Sequence, residues 1–217
     1  MVYTIGGIKG GSGKTTVATN LTILLASKGR DVLLVDADDQ ETATDFNNWR
    51  QETLGDTGYT FVQLYEKAVA TQVNKMTSKY DDIVIDTGGR DTKSQRAAIG
   101  VSDMYLVPFV PRSFDIWTLE KVEELINEMS VVNTELKSYA FINKADHQGT
   151  DNQDVAGLLS ESEVIKYVEA QLGNRKAFSH AATSGLSVLE YKPKDQKAID
   201  ELNTLFSAIT STMKTKV

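Results

Sequence analysis

Residues 6–16 read Gly-Gly-Ile-Lys-Gly-Gly-Ser-Gly-Lys-Thr-Thr, a glycine-rich turn that carries two lysines and closes on two threonines. Glycines let successive backbone N–H groups turn toward one anion, and a helix starting there points its positive end at the same place. Gly10, Gly11, Ser12, Gly13, Lys14, Thr15 and Thr16 therefore read as a phosphate cradle, with Lys14 neutralising the outer phosphates and the Thr15 hydroxyl offered to Mg²⁺. The third glycine of a dinucleotide turn is missing, and Ile8 stands where a strict G-x-x-x-x-G-K-[ST] pattern wants glycine. One lysine is enough for the phosphates of one nucleotide, so Lys9 needs a role of its own.

Other polar groups gather where apolar runs end. Val-Asp-Ala-Asp-Asp-Gln (35–40) closes one run with Asp36 and Asp38, and a carboxylate near Mg²⁺ can orient water. Ile-Val-Ile-Asp-Thr-Gly-Gly (83–89) closes another with Asp86, suited to hold magnesium through its waters, while Gly88 and Gly89 leave backbone room near a γ-phosphate. Arg90 and Arg96 follow, either to sense the phosphate state or to sit on a helix face. Phe-Ile-Asn-Lys-Ala-Asp (141–146) contains the N-K-x-D pattern with which many GTPases read guanine.

The elements that must position these groups are legible as short apolar runs at 2–8, 31–37, 59–65, 81–87, 103–110 and 138–143. Near-continuous apolar strands with helical segments between them specify α/β architecture, a doubly wound, mostly parallel sheet covered by helices on both faces. Val17, Leu21, Leu24 and Leu25 fall on one helical face after the glycine turn. Ile116, Leu119, Val122, Ile126 and Met129 form a second stripe, and Ile199, Leu202, Leu205, Phe206 and Ile209 a third. Residues 143–154 are polar and read as a loop at a strand end. Ligands of open parallel sheets collect at the carboxyl ends of strands, where all of these motifs fall.

The chain has 217 residues, 41% of them hydrophobic, enough for one substantial core, so 1–217 is expected to be a single domain. No cysteine is present, which excludes disulfides and thiolate metal sites and fits a reducing cytoplasm. His147 and His180 lack metal-site spacing. No signal segment and no apolar run of membrane-spanning length is found, so a soluble, unsecreted protein is expected. A net charge of −7 argues against a surface that attracts nucleic acid everywhere; any such binding must come from a local patch.

The run Lys-Gly-Gly-Ser-Gly-Lys-Thr-Thr (9–16) resembles the deviant P-loop of the ParA/MinD family of ATPases, in which the pattern is K-G-G-x-G-K-[ST]. The resemblance implies that Lys9 is the signature lysine, reaching across a nucleotide-sandwich dimer to the phosphates of the other subunit. This is the logic of an arginine finger. Residues 35–40 resemble the family's D-x-D-P-Q motif with Asp39 in place of proline; the match implies that Asp38 positions the attacking water and Asp36 supports the magnesium shell. In Val-Pro-Phe-Val-Pro-Arg-Ser-Phe-Asp (107–115) only Pro111 and Asp115 match the family's proline-containing stretch, which supports a dimer face. Asn143 becomes an adenine contact. From Arg175 onward the chain resembles the closing segment of small plasmid-partition ATPases, whose ATP dimers bind DNA without sequence preference; the candidates are Arg175, Lys176, Lys192, Lys194 and Lys197.

The resulting expectation is an Mg²⁺- and ATP-dependent homodimer, cytoplasmic and nucleoid-associated. It would bind non-specific DNA and answer to a centromere-binding or cargo-adaptor protein. No helix-turn-helix can precede a P-loop that begins at residue 9, and no membrane contact is expected, because the last helix shows Asp200, Glu201, Thr204 and Ser207 with only Lys214 and Lys216 trailing. The alternatives are a MinD-like membrane-surface positioning ATPase, a GTPase reading guanine through Asn143–Asp146, and a metal-insertion chaperone, which the absence of cysteine disfavours.

Overall fold

The computed structural model describes residues 1–148 and 150–211; Lys214 and Lys216 lie outside the described residues. The six apolar runs become β1 (Val2–Ile5), β2 (Val32–Asp36), β3 (Thr60–Gln63), β4 (Asp82–Asp86), β5 (Met104–Phe109) and β6 (Lys137–Ala145), and two short strands, β7 (Lys166–Tyr167) and β8 (Leu172–Gly173), join them. Between them run α1 (Lys14–Ser27), α2 (Thr42–Leu54), α3 (Lys67–Met76), α4 (Lys93–Ile99), α5 (Ile116–Ser130), α6 (Asp151–Ser160), α7 (Lys176–Ala182) and α8 (Gln196–Ser211).

The strand order is β3-β2-β4-β1-β5-β6-β7, with β8 also on β6, and among the described residues every pairing is parallel. From β1 the chain passes to β2 on one side of the sheet, and after β4 it crosses to β5 on the other. This reversal opens a crevice above β1, the place where such sheets bind ligands.

Side chains alternate along each strand, so one face takes Tyr3, Ile5, Leu34, Val84, Leu106 and Phe141 against α1 and α8. The opposite face takes Val2, Leu33, Val35, Ile83 and Ile85 against α3 and α4, and Tyr105, Val107 and Ile142 against α5. Burial on both faces is what makes these strands read as unbroken apolar runs.

Helix α1 is buried all round between Val17 and Leu25, beyond the single stripe expected of it. Its polar residues survive there by bonding backward: Thr19 and Thr22 hydroxyls donate to the carbonyls of Thr15 (2.8 Å) and Ala18 (2.9 Å). In α5 the inward stripe is Leu119, Val122, Leu125, Ile126 and Met129, while Ile116 remains 49% exposed in the first turn. The polar stretch 143–154 is less of a loop than its composition implies. Strand β6 runs to Ala145, because Asn143 and Ala145 pair with β8, and α6 opens at Asp151. Asn152 closes the short connection by bonding both the N–H (3.1 Å) and the carbonyl (2.7 Å) of Asp146.

Candidate nucleotide site

The glycine turn leaves β1 at the crevice and enters α1 through Gly13, whose φ of 87° lies in the left-handed region that glycine alone adopts without strain. A side chain at Gly13 would also strike the Asn143 amide. No side chain caps α1, so its first N–H groups face the turn and can serve an anion there. Lys14 is 6% exposed and its Nζ donates to the Lys9 carbonyl at 3.1 Å. The end of β6 braces the turn from the other side: Asn143 Nδ2 donates to Ser12 O (2.7 Å) and Lys144 Nζ to Gly11 O (2.8 Å).

Asp36, Asp38 and Asp86 end β2 and β4 beside the turn, in three different states. Asp36 is fully enclosed and already engaged: it accepts from the Thr44 N–H (2.9 Å), the Thr44 hydroxyl (2.7 Å) and the Asp38 N–H (3.1 Å). Burial still holds its carboxyl above the ordinary range. Asp38 lies over Gly88, and its Oδ1 accepts from Gln40 N at 3.2 Å. Asp86 has no exposure and neither oxygen takes a hydrogen bond of normal geometry, although the Thr15 hydroxyl is close enough to favour its charge. Burial first, and then the neighbouring Asp36, push it up to about 8. Burial also lowers the affinity of Lys14 for its proton, against the pull of Asp86 and Asp38.

These opposed shifts test the fit of Mg²⁺ and a phosphate chain. A cation beside Asp86 and an anion beside Lys14 would each restore the charged form that burial resists, and the two unpaired Asp86 oxygens are the hard donors magnesium takes. Thr15 stands next to Asp86, as expected for a hydroxyl ligand. Asp36, with both oxygens occupied, orients the start of α2 and the Asp38 turn in this structure.

Gly89 brings the end of β4 onto the cradle, with a Cβ position only 2.7 Å from Gly10 Cα and N and 3.0 Å from Lys9 C. Lys9 projects to the rim, where its Nζ pairs with Asp115 Oδ2 at 2.9 Å and its side chain is 41% exposed. Asp115 also caps α5 by accepting from the Thr118 N–H (2.7 Å) and hydroxyl (2.8 Å). The Lys9 contact, aided by Thr118, holds the Asp115 carboxyl at about 2. Arg96 is bound by Asp91 and Glu128, both at 2.6 Å, and Arg90 is exposed. Arg112 Nε pairs with Asp146 Oδ2 at 2.6 Å.

A cleft of about 430 Å³ extends from the cradle between Gly13, Thr16, Asn143, Asn174, Lys176 and Phe178. Asn143 thus joins the cradle to a space of nucleoside size; Asp146 does not line it. Of the five basic candidates near the carboxyl end, Arg175 and Lys176 border this cleft. Lys194 and Lys197 border a separate groove with His180 and Tyr191, and Lys192 is exposed beside it. Arg175 is engaged within the cleft wall: its Nε and Nη2 bind Glu201 at 2.9 and 2.5 Å, its side chain is 14% exposed, and it ties β8 to α8. Sequence reasoning passed over Thr44 and Gln95, which carry no motif, and over Thr87, which lies inside the 83–89 run without a role assigned; for Thr44 the available signal was a hydroxyl in the first turn after a D-x-D strand end.

A glycine cradle at a sheet's switch point, a buried lysine within it and an unpaired aspartate at the next strand end define a P-loop nucleotide-binding protein. The chain belongs to the family of the CobQ/CobB/MinD/ParA nucleotide-binding domain, whose model matches residues 3–205. It is 22% identical over 206 residues to the maintenance of carboxysome distribution protein A of Halothiobacillus neapolitanus, covering 94% of each chain. Among solved structures it resembles a plasmid partition protein of Borrelia burgdorferi bound to AMPPNP (TM-score 0.79, 19% identity, 97% and 98% of the two chains). It also resembles the ATP complex of a Cyanothece McdA variant (TM-score 0.78, 16% identity, 96% of each chain). The fold is that of ParA-type partition proteins, McdA and MinD.

Proposed function

We propose that this chain is one ATP-binding unit that dimerises around two Mg²⁺·ATP molecules, hydrolyses them, and uses the cycle to position a cargo. In this reading the cradle from Gly10 to Thr16 and Lys14 bind the triphosphate, and Asp86 with Thr15 hold magnesium, which offsets charge on the phosphate oxygens. Asp38 orients the attacking water, and Lys9 serves the phosphates of the second subunit. The observation that carries the reading is the division of labour between the two lysines. Lys14 is enclosed in its own cradle, whereas Lys9 stands at the rim on an exposed contact with Asp115. Exposed ion pairs are worth little, so a phosphate chain presented by a second copy can take Lys9 from Asp115.

Dimerisation would pair two weak basic patches formed by Lys192, Lys194 and Lys197, turning on non-specific DNA binding without a strong patch on either subunit. The relatives' names support positioning of a plasmid or a protein assembly as the task; in this reading a partner protein stimulates hydrolysis, and the location is cytoplasmic and nucleoid-associated. Among the described residues no helix is long and apolar enough to cross a membrane.

The decisive experiment measures DNA retention with ADP, ATP and a non-hydrolysable ATP analogue at several salt concentrations. Binding only with a triphosphate, falling steeply with salt, is expected; equal binding with ADP and ATP would overturn the reading. The guanine alternative is disfavoured by Asp146, whose carboxylate is taken by Arg112 and lies outside the cleft. ATP should therefore compete for the site and GTP should not.

A further inference from the structure

Beneath the cradle lies a side chain that no motif accounts for. Gln95 is fully enclosed in the first turn of α4, three residues after Thr92, which caps the helix by accepting from the Gln95 N–H at 3.1 Å. In a Thr-x-x-Gln capping box the glutamine side chain returns to the backbone N–H of the cap. Gln95 is turned the other way. Its Oε1 accepts from the Gly7 N–H at 3.1 Å and from the Thr87 hydroxyl at 3.0 Å, and its Nε2 has no partner. The Gly7 N–H can only donate, which fixes the orientation of the amide.

The two donors sit at the two places whose spacing the site depends on. Gly7 is at the root of the phosphate cradle, and Thr87 follows the magnesium aspartate Asp86 directly. The Thr87 hydroxyl also lies 2.9 Å from Ile5 O, so its single proton is shared between β1 and Gln95. Just beyond these residues the same two segments touch again, Gly89 against Gly10. Gly6, between them, has no side chain because Tyr105 and Gln95 Oε1 occupy that space. An unpaired buried amide N–H is unfavourable. A local rule broken without a local gain marks a group used for something else.

We propose that Gln95 is a positioning residue for phosphoryl transfer: its single carbonyl oxygen sets the cradle root against the end of the magnesium strand, and so fixes Gly89 on Gly10 at the γ-phosphate. This rests on the ATPase reading above. The α- and β-phosphate part of the cradle is braced independently by Asn143 and Lys144, so ADP binding does not depend on Gln95.

The test compares Gln95→Met, which keeps the length and removes the acceptor, with Gln95→Glu, which keeps an acceptor oxygen. ATP hydrolysis and the binding of ADP and of a non-hydrolysable ATP analogue are measured on the full chain. For Gln95→Met, hydrolysis falls about 10²-fold, the loss expected of a misplacement near 1 Å, with ADP affinity within about threefold of the parent. Gln95→Glu recovers most of the rate. Parental hydrolysis in the methionine variant, or parallel loss of ADP binding and hydrolysis, overturns the inference, because the latter is what a purely structural role produces. If the methionine variant does not fold, Gln95→Asn, whose oxygen falls short of both donors, is held to the same outcomes. A parent chain that hydrolyses no ATP defeats the ATPase reading instead.

Discussion

Replacing Gly89 with alanine tests the contact on which the catalytic geometry rests. The added methyl would sit 2.7 Å from Gly10 Cα and N and 3.0 Å from Lys9 C. Carbon atoms settle near 3.5–4.0 Å, so the end of β4 and the cradle must separate by about 0.8 Å or more. All three neighbours are backbone atoms, and no rotamer can absorb the shift. Asn143 and Lys144 hold Ser12 and Gly11 from the other side, so the displacement falls on Lys9 and Gly10. Overpacking of this kind costs about 1–3 kcal/mol of stability, which for a chain of this size lowers Tm by roughly 2–10 °C. The chemistry is more sensitive, since a misplacement near 1 Å can cost about 10²-fold in rate. Steady-state ATP hydrolysis, calorimetric titration with ADP and a thermal melt should be made on one preparation. Hydrolysis should fall about 10- to 100-fold while ADP affinity stays within about threefold. A variant that hydrolyses ATP at the parental rate would show that the two segments are not set by this contact.

Three other outcomes follow from separate parts of the molecule. Lys9→Ala should keep nucleotide binding and lose hydrolysis by about 10³-fold or more, the scale of a cation supplied in trans, whereas Lys14→Ala should lose triphosphate binding itself; parental hydrolysis in both would overturn the site assignment. Charge reversal at Lys192, Lys194 and Lys197 should abolish ATP-dependent DNA retention without changing ATP binding, and retention at the parental level would place the DNA contact elsewhere. Glu190 binds Arg50 at 2.8 Å through both oxygens. Burial opposes its charge, but the Arg50 and Ser187 hydrogen bonds prevail and hold its carboxyl below the ordinary glutamate value. A depressed folded value gives stability that is present above the unfolded value, ~4.3, and lost as pH falls through the folded one. Glu190→Gln should therefore lower stability by about 1–2 kcal/mol at neutral pH, with the two melting curves converging in acid; an equal gap at every pH would refute the assignment.

What could be read beforehand depended on how each residue is buried. Strands β1, β2, β4 and β5 were visible because burial on both faces leaves few polar positions to interrupt them, whereas β3, at the sheet edge, is only partly buried. The two-residue strands β7 and β8 are too short for any periodicity to appear. Helix α2 was not visible as a stripe: among its thirteen residues only Ala43, Phe46 and Arg50 are buried. Arg50 is ordinarily a surface residue, and it is enclosed because acceptors converge on it, the nearby Thr57 O at 2.7 Å and, from far off in the chain, Gly185 O at 3.0 Å and Glu190. The motif residues Lys14 and Asp86 were singled out by type and spacing, and Asn143 by the family resemblance. Thr44, Thr87 and Gln95 act through partners 8 to 88 residues away and leave no local pattern. Arg175 shows the converse: its type suggested an open cation, and a single carboxylate, Glu201, determines otherwise.

The same contrast accounts for the two different tasks proposed for the lysines of one loop. The Lys14 ammonium is drawn inward by Asp86 and Asp38 and bonds the carbonyl of Lys9, so the inner lysine fixes the backbone from which the outer one departs. With its carbonyl turned into the cradle, Lys9 carries its side chain outward to the rim, where the α5 cap, Asp115, receives it. In the proposed cycle, burial keeps Lys14 with the phosphates of its own subunit. Exposure leaves Lys9 on a contact that solvent weakens, so a more highly charged acceptor can claim it. A substitution that frees the Lys9 carbonyl from Lys14 should therefore disturb both lysines, whereas one at Asp115 should disturb only Lys9. Asparagine caps a helix as well as aspartate does, so Asp115→Asn should leave α5 and ADP binding unchanged. Gel filtration with a non-hydrolysable ATP analogue should find the dimer forming at lower protein concentration than in the parent, by a factor of a few, the upper range for an exposed pair. A dimer weakened by that change would mean that Asp115 supports the interface directly, and that Lys9 does not leave it.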